Sequence, residues 1–512
     1  MTMNKLFIKS LSFAIVILFL GSTTLPSITG NALEEGSSEK EYIQSIINDS
    51  VLDINYIYNI TEALSDIIFT ECNESAGEIA KGRAFGTKGE HKAAEILYEN
   101  MTKLGLWTTK ERIKNLPLAL NCNKLTYKTE VLDYKLTFTD IDTQEEKVVE
   151  CRCSPSMFGP FGRPFKTTYN FSYAGLKIRT DHPKLLEDKE DYVLIYQSTN
   201  STDNNSGSIT CEGLKFYVQM GIKLIRRVKD SLLHPHFKGY ICYDHNDDSN
   251  NQLSQALARS VAPLFNINGT YGRSICGNME NYTVSFYLNQ RSNKSVESYN
   301  VIGQLNGTDT SKTVIVDCLY DSWWCQGTAD AAIGMGIVMS IAKYFKEYEI
   351  IPKYNIKFIG FGGEEYGLRG AWYHEAAHKN ENFIYVVDLN QVGFKQETPR
   401  LKLEIVTNTK EFKEEIRPIV EQTDYVNRTG NVTDIKFFNN RAGFISDDRP
   451  FALKRPLRCE TVCIVKGGKW LLHHRDGEKH TEGDVLKYFD WADVSATGEI
   501  ALNVVKYLTT DC

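Results

Sequence analysis

The sequence predicts an α/β fold: a central sheet covered by helices on both faces and interrupted by a β-rich lobe. Three observations carry this. In the C-terminal part strand-like and helix-like runs alternate, as in a sheet covered on both sides. Acidic residues cluster just after those strands, where open α/β sheets bind ligands. The middle of the chain changes to short strand-like runs around a single amphipathic helix. A length of 512 residues allows two or three domains at roughly 100 to 200 residues each. With 42% hydrophobic and 24% charged residues, fibrous and disordered classes are excluded. A net charge of -7, with Lys and Arg spread along the chain, leaves no nucleic-acid footprint.

Lys5 and Lys9 precede an apolar run at residues 11–20, and small and polar residues follow through Ala32. That run suits a signal h-region of roughly 7 to 15 residues and falls short of the roughly 20 that span a bilayer. Cleavage near Ala32 then gives a secreted protein; a retained N-terminal anchor is the alternative. No second run of spanning length follows. Twelve cysteines and sequons such as Asn170, Asn200, Asn204, Asn268 and Asn281 suit an oxidising compartment, so disulfides and glycosylation are expected.

The organisation expected is a signal peptide at 1–32, an N-terminal part of the main domain at 33–157, an inserted lobe at 158–291, and the rest of the main domain at 292–512. Residues 41–107 read as mostly helical, with Ala93, Ile96, Leu97 and Met101 on one face, and 125–138 as two strands. The insert carries strand-like runs at 192–197, 239–243 and 282–288 around a helix at 214–227. Beyond it, 313–320, 356–361 and 384–389 read as buried strands, and Ile333, Ile337, Ile341 and Phe345 mark a helix.

The chemistry sits at the ends of those strands. Leu319-Tyr320-Asp321 ends the first, with Gly327-Thr328-Ala329-Asp330 opening the helix. Gly362-Gly363-Glu364-Glu365 ends the next. Asp388-Leu389-Asn390 ends the third, and His480-Thr481-Glu482-Gly483-Asp484 comes late in the chain. Adjacent glutamates suit two jobs, because consecutive side chains diverge: Glu365 can bind a metal while Glu364 accepts a proton. A zinc ion acidifies water and polarises a carbonyl, so such a division suits hydrolysis. Asp330 could also serve as a helix N-cap. Trp323 and Trp324 read as packing residues that could also line a cleft. His374 and His378 lie four apart without the His-Glu-x-x-His order and are expected to be exposed.

On these motifs the chain resembles metallopeptidase family 28 of clan MH, zinc exopeptidases that include aminopeptidase Y, carboxypeptidase Q and glutamate carboxypeptidase. Residues 83–89 ahead of an amphipathic helix match its N-terminal segment. The middle insert looks like a protease-associated domain. Ser446-Asp447-Asp448-Arg449-Pro450-Phe451 matches its Ser-Asp-His-x-Pro-Phe loop, with Asp448 in the His place. The resemblance implies a mixed sheet of zinc-exopeptidase (phosphorylase/hydrolase-like) type and a peptide substrate. Of the family's five zinc ligands it carries three onto this chain, Asp330, Glu365 and His480; Leu319 and Asn390 stand at the other two. Glu364 takes the place of the catalytic base, and Asp321 that of the acid accompanying it.

Two divalent ions roughly 3.5 to 4 Å apart need compensating carboxylates, and Leu319 cannot coordinate. One zinc is therefore expected rather than two. Asp317, Asp388, His473 and His474 are candidate replacement ligands. The expected function is a secreted zinc exopeptidase, removing an amino- or carboxyl-terminal residue, with oligomerisation left open. The alternatives are a catalytically inactive binding or assembly module and a single-zinc acyltransferase of glutaminyl-cyclase type.

Overall fold

The structure, a computed structural model, describes residues 35–68, 70–73, 77–80, 82–114, 128–154, 168–180, 190–198, 236–244, 262–293, 297–322, 325–365, 367–394, 402–429, 435–444, 446–453, 459–467 and 484–510. The expected signal peptide and the helix at 214–227 lie outside them. The chain divides into residues 1–48 and residues 49–512. Of the first unit the structure describes helix α1 (Glu35–Asp49).

The second unit begins with α2 (Ile54–Ser65), whose N-cap Asp53 accepts from the Tyr56 N–H. A hairpin of β1 (Thr70–Asn73) and β2 (Gly77–Ala80) and helix α3 (Lys88–Lys103) follow. Among the described residues of 41–107, helices thus alternate with this hairpin and short turns. The chain enters the main sheet at β3 (Trp107–Arg112) and then leaves it. The lobe is built from β4 (Lys128–Asp140), β5 (Glu146–Val148), β6 (Cys151–Ser154), β7 (Thr168–Arg179), β8 (Tyr192–Ser198), β9 (Phe237–Asp244), β10 (Leu264–Ile267), α4 (Gly269–Gly277) and β11 (Tyr282–Asn293). Their sheet runs β5-β4-β11-β7-β8-β9-β10-β6 around its own core of Tyr134, Phe138, Ile195, Ile241, Phe265 and Phe286. β4 is one long strand where two were expected. The boundary expected at residue 158 falls inside this sheet, because β4 to β6 precede it.

The chain returns through β12 (Tyr299–Leu305), β13 (Asp309–Leu319), α5 (Ile333–Glu347), β14 (Tyr354–Phe361), α6 (Arg369–Ala377), β15 (Phe383–Asn390), β16 (Lys402–Thr407), α7 (Lys410–Glu421), α8 (Tyr425–Thr429), β17 (Lys436–Asn439), α9 (Arg449–Ala452), β18 (Glu460–Gly467) and α10 (Trp491–Thr509). The main sheet is mixed, in the order β17-β16-β18-β15-β13-β14-β12-β3. Its centre, β14, β13, β15 and β18, is parallel. The central strands are buried on both faces, which accounts for their near-continuous apolar runs. Alternation along β13 separates those faces. Ile315 packs with Ala371 of α6 and Phe451 of α9 on one side. Cys318 on the other meets the α5 side, where its Sγ would lie 2.8 Å from a Cβ added at Gly334. Asp317 and Leu319 therefore share the α6 and α9 face.

The loops beyond the parallel strands are tied together by Arg83, which is fully buried. Its guanidinium donates to the carbonyls of Tyr320 at 2.7 Å, Leu64 at 2.9 Å and Gly327 at 2.9 Å, and also to that of Gln326. Its own N–H donates to Ser322 Oγ at 2.9 Å. The preceding Gly82 has φ +47, and an added Cβ would lie 1.8 Å from the Cys325 carbonyl, so only glycine brings the backbone this close. Replacing Arg83 leaves several carbonyls unpaired and removes a cation from beside Asp321 and Asp484. The variant Arg83→Leu is expected to lose roughly 3 to 5 kcal/mol in urea unfolding; a loss under about 1 kcal/mol would show that the loops hold without it.

Candidate metal centre

β13 and β14 lie side by side, with Leu319 in register with Phe361, so residues 320–322 and 362–365 emerge together. Asp321 couples the two loops. Its Oδ1 accepts the Glu364 N–H at 3.0 Å and its Oδ2 the Glu365 N–H at 3.3 Å. Asp321 thus fixes the backbone of the glutamate pair, a positioning role beside the catalytic one expected for it. Asp330 is buried in the turn before α5, with the non-helical angles φ -122, ψ 85 and a cis peptide to Ala331. It is not the N-cap of the helix; that position is Ala332. The turn is held by Asp484, whose carboxylate accepts the Ala329 N–H at 2.6 Å and the Asp330 N–H at 3.2 Å. Asp484, the last residue of the late motif, is the part of it that the structure describes.

These carboxyls repel one another at close quarters. Burial pushes Asp321 up to about 8, and the Glu365 charge adds to it. Burial likewise takes Asp484 up to about 7, opposed by the Ala329 N–H and raised by Asp330. Glu364, half-buried, is driven well above the carboxylate range by desolvation and then by Glu365, Asp447, Asp330 and Asp321. Asp330, Asp321, Glu364 and Glu365 therefore share one neighbourhood. His480, His473, His474, Trp323 and Trp324 lie outside the described residues.

At the two substituted ligand positions, Leu319 is fully buried and Asn390 donates through Nδ2 to Ser446 Oγ at 2.9 Å. One pleat deeper, Asp317 and Asp388 are direct partners across the parallel strands. Burial and then the Asp388 charge push the Asp317 carboxyl well above its ordinary value. Asp388 is held to about 6, raised by burial and lowered by donors that include Ser446 and Cys463. The strand register sets these two side by side.

The loop before α9 adds two acids whose place in this cluster sequence reasoning missed. Asp448, in the His place, accepts the Phe444 N–H at 2.9 Å and the Thr461 hydroxyl at 3.1 Å. Asp447 is buried, and neither of its oxygens has a hydrogen-bond partner among the described residues. Burial and then Asp388, Asp317, Asp321 and Asp448 push it well up. Buried carboxyls that depress one another's ionisation fit a divalent cation better than any neutral ligand. The motif Ser446-Asp447-Asp448 was the signal available for these residues, but adjacency alone does not show that they face Asp388. Cys318 and Cys463 stand here as buried thiols.

His374 and His378 depart most from expectation. His374 is fully buried, and both rings meet Glu111 of β3. The pattern reading failed because Glu111 arrives from an edge strand more than 260 residues away in sequence.

The raised acids set a pH dependence. A carboxyl whose folded value lies above its unfolded value, near 3.8, stabilises the fold below that value, and the contribution is lost as pH rises through about 7 for Asp484 and about 8 for Asp321. The melting temperature of chelator-stripped protein should therefore fall between about pH 5 and pH 8, and added zinc should reduce the fall. A melting temperature that rises or stays level across this window would contradict the electrostatics described.

Residues 300–505 match peptidase family M28. No curated protein sequence matches the chain. Among solved structures, the fold is similar to that of BSAP, a zinc aminopeptidase from Bacillus subtilis, at 16% identity over 90% of this chain and 95% of that one, with a TM-score of 0.57. It is similar to a peptidase M28 precursor from Shewanella amazonensis at 14% identity over 91% and 95%, with a TM-score of 0.58. An aminopeptidase from Aneurinibacillus follows at 16% identity, covering 92% of this chain and 97% of that chain, with a TM-score of 0.51. At these identities the structural likeness is one of fold, and it extends over the lobe as well as the main sheet. Over residues 300–505, and in its fold, the chain is thus similar to peptidase family M28.

Proposed function

We propose that the protein is a secreted zinc-dependent exopeptidase that hydrolyses a terminal peptide bond, with a single zinc held by Asp330, Glu365 and His480. The observation that carries this reading is the double anchoring of the surviving donors. Asp321 grips the backbone of Glu364 and Glu365, and Asp484 grips that of Asp330. A buried structure would have little reason to hold acids this firmly against one another unless a cation offset them.

When bound, zinc supplies Lewis acidity toward the scissile carbonyl and lowers the pKa of water to about 7. Glu364 accepts the proton and passes it to the leaving amine. Asp321 keeps Glu364 and Glu365 diverging, one toward the proton and one toward the metal. A single zinc is supported by Leu319 and Asn390, neither of which brings a charge.

Secretion rests on the N-terminal signal pattern; among the described residues no helix is long and apolar enough to cross a membrane. The lobe formed by β4 to β11 is read as a protease-associated domain. A second reading, a catalytically inactive binding module, is favoured by the same two substitutions. Glu364→Gln separates the two: turnover of aminoacyl and peptide substrates should drop about 100- to 10,000-fold with zinc content unchanged, whereas unchanged turnover removes Glu364 from the mechanism. Restoring both lost positions, Leu319→His with Asn390→Asp, should raise the zinc bound per chain by one equivalent. No gain in a folded double variant would show that the site is not a latent two-metal centre.

A further inference from the structure

The cluster of Glu111, His374 and His378 shares no residue with the M28 centre. Glu111 projects from β3, the edge strand of the main sheet. His374 and His378 lie four apart, in α6 and at its C-cap, so helical spacing sets both rings on one side. Glu111 Oε2 meets His374 Nδ1 at 2.9 Å, and Oε1 meets His378 Nε2 at 2.7 Å. One ligand atom from each residue falls within 4.8 Å of the others. Two imidazoles and a carboxylate converging in this way form a donor set that suits zinc.

The surroundings resemble those of a built metal site. His378 Nδ1, on the side of the ring away from Glu111, lies 3.2 Å from Glu381 Oε2. Glu381 in turn takes hydrogen bonds from Lys357 Nζ at 2.6 Å and Thr313 Oγ1 at 2.9 Å. A carboxylate behind the far nitrogen is the arrangement that orients a ligating histidine and raises its basicity. Glu111 is itself fixed by Asn300 Nδ2 at 2.7 Å. His374 is fully buried, and burial lowers its pKa, which keeps a neutral ring. The His378 side chain is 35% exposed and Glu111 14%, so a cation has a way in.

We propose that Glu111, His374 and His378 form a second zinc-class cation site, one that clamps α6 to the edge strand. Asn300 connects this clamp to the glutamate loop: its Nδ2 also donates to the Gly370 carbonyl at 3.0 Å, and its Oδ1 accepts the Gly362 N–H at 3.4 Å. The cation competes with a proton. Without metal, His378 is raised to about 9 by its hydrogen bonds to Glu111 and Glu381, and the charges of His378 and Lys357 then offset those two carboxylates. Tyr373 and the neutral His374 complete the titratable groups facing the clamp. Zinc takes the Nε2 position, so the proton there leaves to solvent.

The test uses the full-length protein, stripped with chelator and reloaded with zinc, with bound zinc counted by mass spectrometry and proton release followed by a pH indicator. Glu365→Gln disables the M28 centre and isolates the clamp. This variant is expected to retain one equivalent of zinc at pH 8, to release about one proton on loading, and to lose that equivalent when His378→Gln is added. Equal zinc in Glu365→Gln with and without His378→Gln would overturn the proposal. If the double variant fails to fold, Glu365→Gln with Glu111→Gln replaces it: loss of the zinc equivalent supports the site, and its retention refutes it.

Discussion

The structure turns on a surplus of buried negative charge at the carboxyl ends of four parallel strands. Asp317, Asp321, Asp388, Asp447, Asp448 and Asp484 are all nearly or fully buried within the main domain, and desolvation raises each of them. Carboxyls at this depth are costly unless protonated, hydrogen-bonded or paired with a cation. Asp321 and Asp484 take backbone N–H groups, and Arg83 supplies a fixed positive charge among the loops.

These solutions also explain how so remote a set of residues is assembled. Arg83 draws the carbonyls of residues 64, 320, 326 and 327 around one guanidinium. Asp321 and Asp484 then each fix one acidic loop through its N–H groups. Positioning falls to groups that touch backbone, which leaves Asp330, Glu364 and Glu365 available for chemistry. Fixed dipoles and charges of this kind cost no reorganisation during a reaction.

Much of the fold was legible in the sequence. The alternation from β13 to β15 and the four-residue spacing in α5 are local signals, and the structure gives strands and a helix there, with β13 beginning four residues earlier than expected. The start of the lobe was less legible, since β4 and β6 join partners more than a hundred residues later in sequence. At the site, motif adjacency pointed to Asp321, Asp330 and the glutamate pair, but their division of labour was hidden: only geometry shows Asp321 bonded to backbone. Asp447 and Asp448 were noted only as part of a loop motif. The pairing of His374 and His378 with Glu111 is a contact between an edge strand and a helix, and no local pattern encodes it.

The central claim is that Asp330 and Glu365 hold a cation between them. A zinc-edge anomalous difference map from crystals of zinc-loaded protein tests it directly. The account predicts a single peak in this region, about 2.0 to 2.2 Å from a carboxylate oxygen of each residue, with His480 as the third donor. Ordered Asp330 and Glu365 side chains with no anomalous density between them would contradict it.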